Sequence, residues 1–228
     1  MRAIVLADGS VPDRAGLEAA WPGWRDGADL VVAADGGARL AAPLGLRINR
    51  WVGDGDSIDP AELARLRAAG VTIDRVPVDK DASDTELALL VALSDGASDL
   101  TIVGALGGPR LDHALANIGL LAHPALAELP VRILDVAARV SLIRAPERGG
   151  GPARVELRGR VGDIVSLLVM GADVEGVTTA GLRYPLRDEP LPAGTVRGLS
   201  NVRTADVAAV TVRWGRLLVI EAPATLWR

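Results

Sequence analysis

The sequence predicts an α/β protein in two parts, a mostly parallel sheet covered by helices followed by a small all-β sandwich or barrel. Three observations carry this reading. Short β-branched runs alternate with Ala/Leu-rich amphipathic stretches over the first two-thirds of the chain. The stretch 146–152 (PERGGGP) then combines two Pro with three consecutive Gly, as a linker does. Beyond it no helix of useful length is evident, and short apolar runs separated by Gly and Pro take over. With 228 residues, 49% hydrophobic and 24% charged, the chain has enough apolar material for real cores. The expected domains are 1–146 and 152–228.

The elements follow in order. Ala3–Ala7 reads as the first strand; the opening MRAIVLADGS reaches an Asp too soon to be a signal peptide. Leu30–Ala34 and Trp51–Val52 are the second and third strands. Pro60–Ala69 is a helix, with Pro at a first turn that needs no N–H. Val71–Val76 is the fourth strand, and Ser83–Ser94 a helix with Ser83 as N-cap and Glu86 three residues on. Gly70 and Gly96 stand just past helix ends, where a left-handed backbone is common. Leu100–Val103, the helix Leu111–Ala122 and Val131–Leu134 complete the first part. Ala153–Leu157, Ile164–Met170, Val207–Val212 and Leu217–Ile220 are strands of the second.

Composition narrows the chemistry. No Cys and two His exclude disulfides, thiolate metal sites and a His-rich zinc site. No apolar run approaches the roughly 18 residues of a membrane span. A net charge of −4 without a basic stripe argues against nucleic acid. The expected setting is the cytoplasm.

Ligands of an open α/β sheet bind at the carboxyl ends of its strands, and the polar clusters fall there. Asp8-Gly9, Asp35-Gly36-Gly37, Gly53-Asp54-Gly55-Asp56-Ser57, the segment 79–84 (DKDASD) and the segment 104–113 (GALGGPRLDH) follow five consecutive strands. A single Asp-Gly pair is an ordinary turn; five such ends on one rim predict a site. From Asp54 to Glu86 there are nine acidic and four basic residues, a net of −5. Crowded carboxylates call for a cation, and without Cys the fitting one is hard, Mg²⁺ or Mn²⁺. Asp54, Asp56 and Asp84 are the candidate metal ligands. Lys80, the only Lys against 24 Arg, and Arg110 suit phosphate oxygens. Gly104, Gly107 and Gly108 could admit a phosphate to backbone N–H groups but match neither a Walker A loop nor a dinucleotide fingerprint. His113 and Asn117 share one face of the helix that follows.

Together these clusters resemble the thiamine pyrophosphokinase (thiamine diphosphokinase) family. The resemblance rests on Ala34-Asp35-Gly36-Gly37-Ala38, the Gly53–Ser57 cluster, Lys80-Asp81 with Ser83-Asp84-Thr85-Glu86, and GGPRLDHALANI at 107–118. GLRYPL at 181–186 and GLSN at 198–201 extend it into the second part. It implies a parallel α/β nucleotide-binding domain, a C-terminal β domain, a homodimer, and transfer of a diphosphate from ATP to the hydroxyethyl oxygen of thiamine, releasing AMP. By the same resemblance Asp54, Asp56 and Asp84 take catalytic and metal-binding roles. Asp35, Lys80, Ser83, Arg110, Asp112 and Asn117 belong to the nucleotide, and Tyr184, Ser200 and Asn201 to thiamine. Two departures stand out. Pro109 is inserted before Arg110, and Gly55 replaces a larger residue between the two Asp.

Two other readings compete. Asp54-x-Asp56-Ser57 mimics the motif of Mg-dependent aspartyl phosphatases, which normally follows the first strand rather than the third. A non-catalytic thiamine or nucleotide sensor would have lost carboxylates first, and all three are present.

Overall fold

The computed structural model describes residues 1–10, 13–146 and 150–227, and the chain divides into two compact units, Met1–Val136 and Ala137–Arg228. The predicted linker lies partly outside the described residues. The division falls ahead of that linker because the strand Arg139–Arg144 pairs with a strand near the C-terminus.

The first unit alternates strands and helices: β1 (Arg2–Leu6), α1 (Arg14–Ala20), β2 (Ala28–Ala34), α2 (Ala41–Leu44), β3 (Arg50–Gly53), α3 (Pro60–Ala68), β4 (Thr72–Arg75), α4 (Asp84–Ser94), β5 (Asp99–Val103), α5 (Leu111–Leu120) and β6 (Val131–Leu134). All its strand pairings are parallel, in the order β4-β3-β2-β1-β5-β6. The chain thus winds outward to β4 and returns beside β1, so the direction of winding reverses between β1 and β5. That reversal opens the crevice in which ligands of such sheets sit. Ala3 to Leu6 and Val32 to Ala34 are buried, as the unbroken apolar runs of these strands require. Ile4, Leu17, Trp21, Trp24, Ala33 and Trp51 share one core.

Local chemistry sets the helix ends. Asp59 caps α3 by accepting from Ala61 N at 2.7 Å, and Ser83 Oγ caps α4 by accepting from Glu86 N at 3.2 Å. Gly70 and Gly96 have φ of +82° and +90°, the left-handed geometry expected of them.

The second unit is a two-sheet β structure: β7 (Arg139–Arg144), β8 (Ala153–Arg158), β9 (Ile164–Val169), β10 (Val174–Ala180), β11 (Glu189–Leu191), β12 (Asn201–Val202), β13 (Val207–Val212) and β14 (Arg216–Ala222). Here β7-β14-β9-β12 and β8-β13-β10-β11 pair antiparallel throughout. Ile143, Val165, Leu167, Leu217 and Val219 from one sheet meet Leu157, Val174, Val177, Val210 and Val212 from the other. This is the expected two-sheet β unit, its inner residues two apart along β9, β13 and β14 and three apart on β10, where the register shifts. Among the described residues no helix is long and apolar enough to cross a membrane.

Candidate active site

The site begins where β2 ends. Asp35 has φ +41°, a left-handed backbone rare for a residue with a side chain, and opens a 3-10 segment, Asp35–Leu40. Two glycines make room for it. A Cβ on Gly37 would stand 2.2 Å from Leu6 O, and one on Gly53 2.8 Å from Asp35 Cβ. The Asp35 side chain is buried. Its Oδ2 accepts from Ser57 N at 3.3 Å, while Oδ1 has no hydrogen-bond partner. Burial raises its pKa to about 6, against the pull of the Ser57 N–H, and the neighbouring Asp56, Asp84 and Asp54 push the same way as burial.

The loop after β3 supplies the next carboxylates. Asp54 Oδ1 accepts from Asp56 N at 3.0 Å, and Asp56 Oδ1 accepts from the Ser57 hydroxyl at 2.8 Å. Lys80 donates to Asp54 Oδ2 at 2.6 Å and lies 3.2 Å from Asp84 Oδ1. The hydrogen bond from Lys80 holds Asp54 below the usual carboxylate range, and Asp54 in turn raises Lys80. Asp84 is raised, chiefly by burial, with Lys80 opposing.

Carboxylate oxygens of Asp35, Asp54 and Asp56 lie within 4.8 Å of one another. Three hard oxygen donors, one of them buried without a partner, fit a divalent cation of the Mg²⁺ or Mn²⁺ kind. Asp35, read from sequence as a nucleotide residue, therefore stands with Asp54 and Asp56, while Asp84 reaches the group through Lys80.

The crevice between β1 and β5 is built from backbone. Gly9 N donates to Gly104 O at 2.7 Å, and Gly104, Gly107 and Gly108 have φ of +75°, +80° and +86°. Arg39 clamps this rim: it ion-pairs with Asp8 and donates to Asp8 O at 2.9 Å, Gly9 O at 3.0 Å and Gly36 O at 3.2 Å. Sequence reasoning missed Arg39, since nothing in its spacing shows that its partners are carbonyls 30 residues away. Arg110 and Asp112, both exposed, form a two-point pair at 2.9 and 2.6 Å. Asn117 is buried and donates to Ala105 O at 3.0 Å, tying α5 to the glycine loop.

In the second unit, Tyr184 is 62% exposed and thus not a core tyrosine. Asn201 holds its backbone in place: Asn201 Oδ1 accepts from Tyr184 N at 2.9 Å and Nδ2 donates to Tyr184 O at 2.7 Å. Ser200 has φ +56°, and its N donates to Ser166 Oγ at 3.0 Å.

An open parallel sheet whose carboxyl rim gathers carboxylates, a lysine and positive-φ glycines has the build of a nucleotide-handling α/β protein, with carboxylates suited to a divalent metal. Two family models match in succession, "Thiamin pyrophosphokinase, catalytic domain" over residues 24–133 and "Thiamin pyrophosphokinase, vitamin B1 binding domain" over residues 153–219. The chain belongs to the thiamin pyrophosphokinase family. A thiamine pyrophosphokinase of Bacillus subtilis (strain 168) is 27% identical over 200 residues, spanning 88% of this chain and 90% of that protein. The crystal structure of a thiamin pyrophosphokinase family protein from Enterococcus faecalis is 26% identical with a TM-score of 0.77, over 98% of this chain and 99% of that one. That of the Bacillus subtilis thiamine pyrophosphokinase, 24% identical over 97% and 99% of the two chains, has the same fold with a TM-score of 0.81.

Proposed function

We propose that this chain transfers a diphosphate group from ATP to thiamine, giving thiamine diphosphate and AMP. The observation that carries the reading is the convergence of Asp35, Asp54 and Asp56 beside Lys80, in a chain whose two units match the family's catalytic and vitamin-binding parts in order. The hydroxyethyl oxygen attacks the β-phosphorus, the bond from that phosphorus to the α–β bridging oxygen breaks, and AMP leaves with that oxygen. The hydroxyl proton passes to solvent late in a loose transition state, so no strong base is required.

Asp35, Asp54 and Asp56 would hold the divalent cation, Mg²⁺ by donor type, with Asp84 completing the acidic rim. When bound, the cation supplies positive charge for the phosphoryl oxygens. Lys80 keeps Asp54 ionised and fixes its orientation relative to Asp84. The glycine loop offers N–H groups to the nucleotide, and Asn117 holds that loop. Ser83 caps α4 and so sets the position of Asp84. The exposed Tyr184 ring packs on thiamine, with Asn201 as its positioning residue and Ser200 beside it. A homodimer in the cytoplasm completes the proposal.

Purified protein incubated with thiamine, ATP and Mg²⁺ tests this by mass analysis of products. AMP and thiamine diphosphate in equal amounts are expected. ADP with thiamine monophosphate moves the attack to the γ-phosphorus and overturns the proposal, as does phosphate release from simple esters without ATP.

A further inference from the structure

Gly55 and Arg75 share a space at the rim. Arg75 ends β4, in register with Gly53, the residue directly before the Asp54-Gly55-Asp56 loop. Gly55 has φ +84°, and a Cβ there would lie 2.9 Å from Arg75 Nη2, 3.6 Å from Nε and 3.7 Å from Cζ. The guanidinium therefore lies over the bare α-carbon between the two aspartates. A side chain at position 55 would occupy its place.

The guanidinium has no anion of its own. Of the four basic residues from Asp54 to Glu86, Arg65 pairs with Glu62, Lys80 pairs with Asp54 and Asp84, and Arg67 is exposed on α3. The Arg75 side chain makes neither an ion pair nor a hydrogen bond among the described residues. The carboxylates beside it are engaged, Asp54 by Lys80 and by Asp56 N, Asp56 by the Ser57 hydroxyl. Arg110, the other cation expected to serve phosphate, is held in a two-point pair by Asp112. A triphosphate brought to a rim of four carboxylates and one lysine gains from a further cation beside the divalent ion those carboxylates would hold. A planar guanidinium suits phosphate oxygens through paired N–H donors.

We infer that Arg75, admitted to the rim by Gly55, binds the outer phosphates of ATP. This rests on the proposed function, which places a triphosphate at the carboxylate cluster. Arg75 is then a binding residue for the β- and γ-phosphates and makes no contact with the nucleoside.

Calorimetric titration separates the possibilities. Wild type, Arg75→Gln and Arg75→Lys are each titrated with ATP in Mg²⁺ and with AMP. Arg75 is exposed, and melting curves of the variants are expected to overlay that of wild type. Arg75→Gln is expected to weaken ATP by about 10-fold, the loss of one or two charged hydrogen bonds, and to leave AMP unchanged. Arg75→Lys is expected to fall between, keeping the charge without the fork. Equal ATP affinity in wild type and Arg75→Gln overturns the inference alone, as does an equal loss of ATP and AMP. Failure of wild type to bind ATP overturns the proposed function and this inference together.

Discussion

Asp35 carries a carboxylate where water does not reach, and one of its oxygens has no donor. Its folded-state pKa is raised from 3.8 to about 6, so the folded protein holds that proton over a range in which the unfolded chain has released it. Stability from this group is therefore complete below about pH 4, falls as pH rises toward 6, and stays low above that. Asp35→Asn mimics the protonated acid and removes this slope. In metal-free buffer the variant is expected to be more stable than wild type at pH 8 by about 2–3 kcal/mol, and equal to it near pH 4. Urea denaturation at both values checks this; the same difference at both would mean that Asp35 is not the titrating group. Asp84, also raised, and Asp54, lowered, are present in both proteins, and losing the Asp35 charge also relieves the repulsion they feel from it. The carboxylates themselves were legible in the sequence, because Asp54 and Asp56 follow a strand two apart and Lys80 is the only lysine. Which of them would converge was not, since the place of Asp35 depends on β2 lying beside β3. Nor could spacing show that Asn201 spends its amide on the Tyr184 backbone, or that Arg110 faces Asp112.

Elements position these residues through contacts between backbones. The 3-10 segment after β2 reads in sequence as a glycine turn, yet it packs so closely on the end of β1 that Gly37 has no space for a methyl group. Gly37→Ala is expected to push this segment away from Leu6 and to move Asp35 with it. A cost of about 1–3 kcal/mol is expected, as for overpacking elsewhere, together with weakened Mg²⁺ binding. Denaturation midpoints and metal titration measure the two effects, and an unchanged midpoint would show that the segment moves freely. β1, β2 and β5 were legible because buried parallel strands are largely apolar runs. The short α1 was not. Its seven residues are started by the Asp13 side chain, which accepts from Gly16 N at 2.7 Å, and are too few for periodicity to register. β10, VEGVTTA, escaped for another reason: its two valines are separated by Glu175 and a glycine whose φ is +66°, and followed by two threonines, so no alternation registers.

At the scale of the molecule, each unit has its own core, and the second also encloses charge. Arg203 is buried, donating to Glu221 Oε1 and to Leu157 O, each at 2.6 Å, while Arg139 grips both Glu221 oxygens at 2.7 and 2.8 Å. These residues come from β7, β8, β14 and the segment after β12, so the network ties the start of the second unit to its end. The change from alternating elements to short β runs made the two-part plan legible, but the sequence could not show that β7 belongs with β14, 72 residues away from Arg144 to Arg216. Glu221→Gln keeps the shape and removes the anion, leaving Arg203 charged in an apolar interior. Breaking a buried pair in this way costs about 3–5 kcal/mol. If the two units are energetically separate, that loss stays in the second. Amide hydrogen exchange is then expected to quicken in β7, β9 and β14, with β1, β2 and β5 protected as before. An equal loss of protection in β1 and β2 would mean that the units unfold as one, and that this buried charge network stabilises the catalytic rim as well.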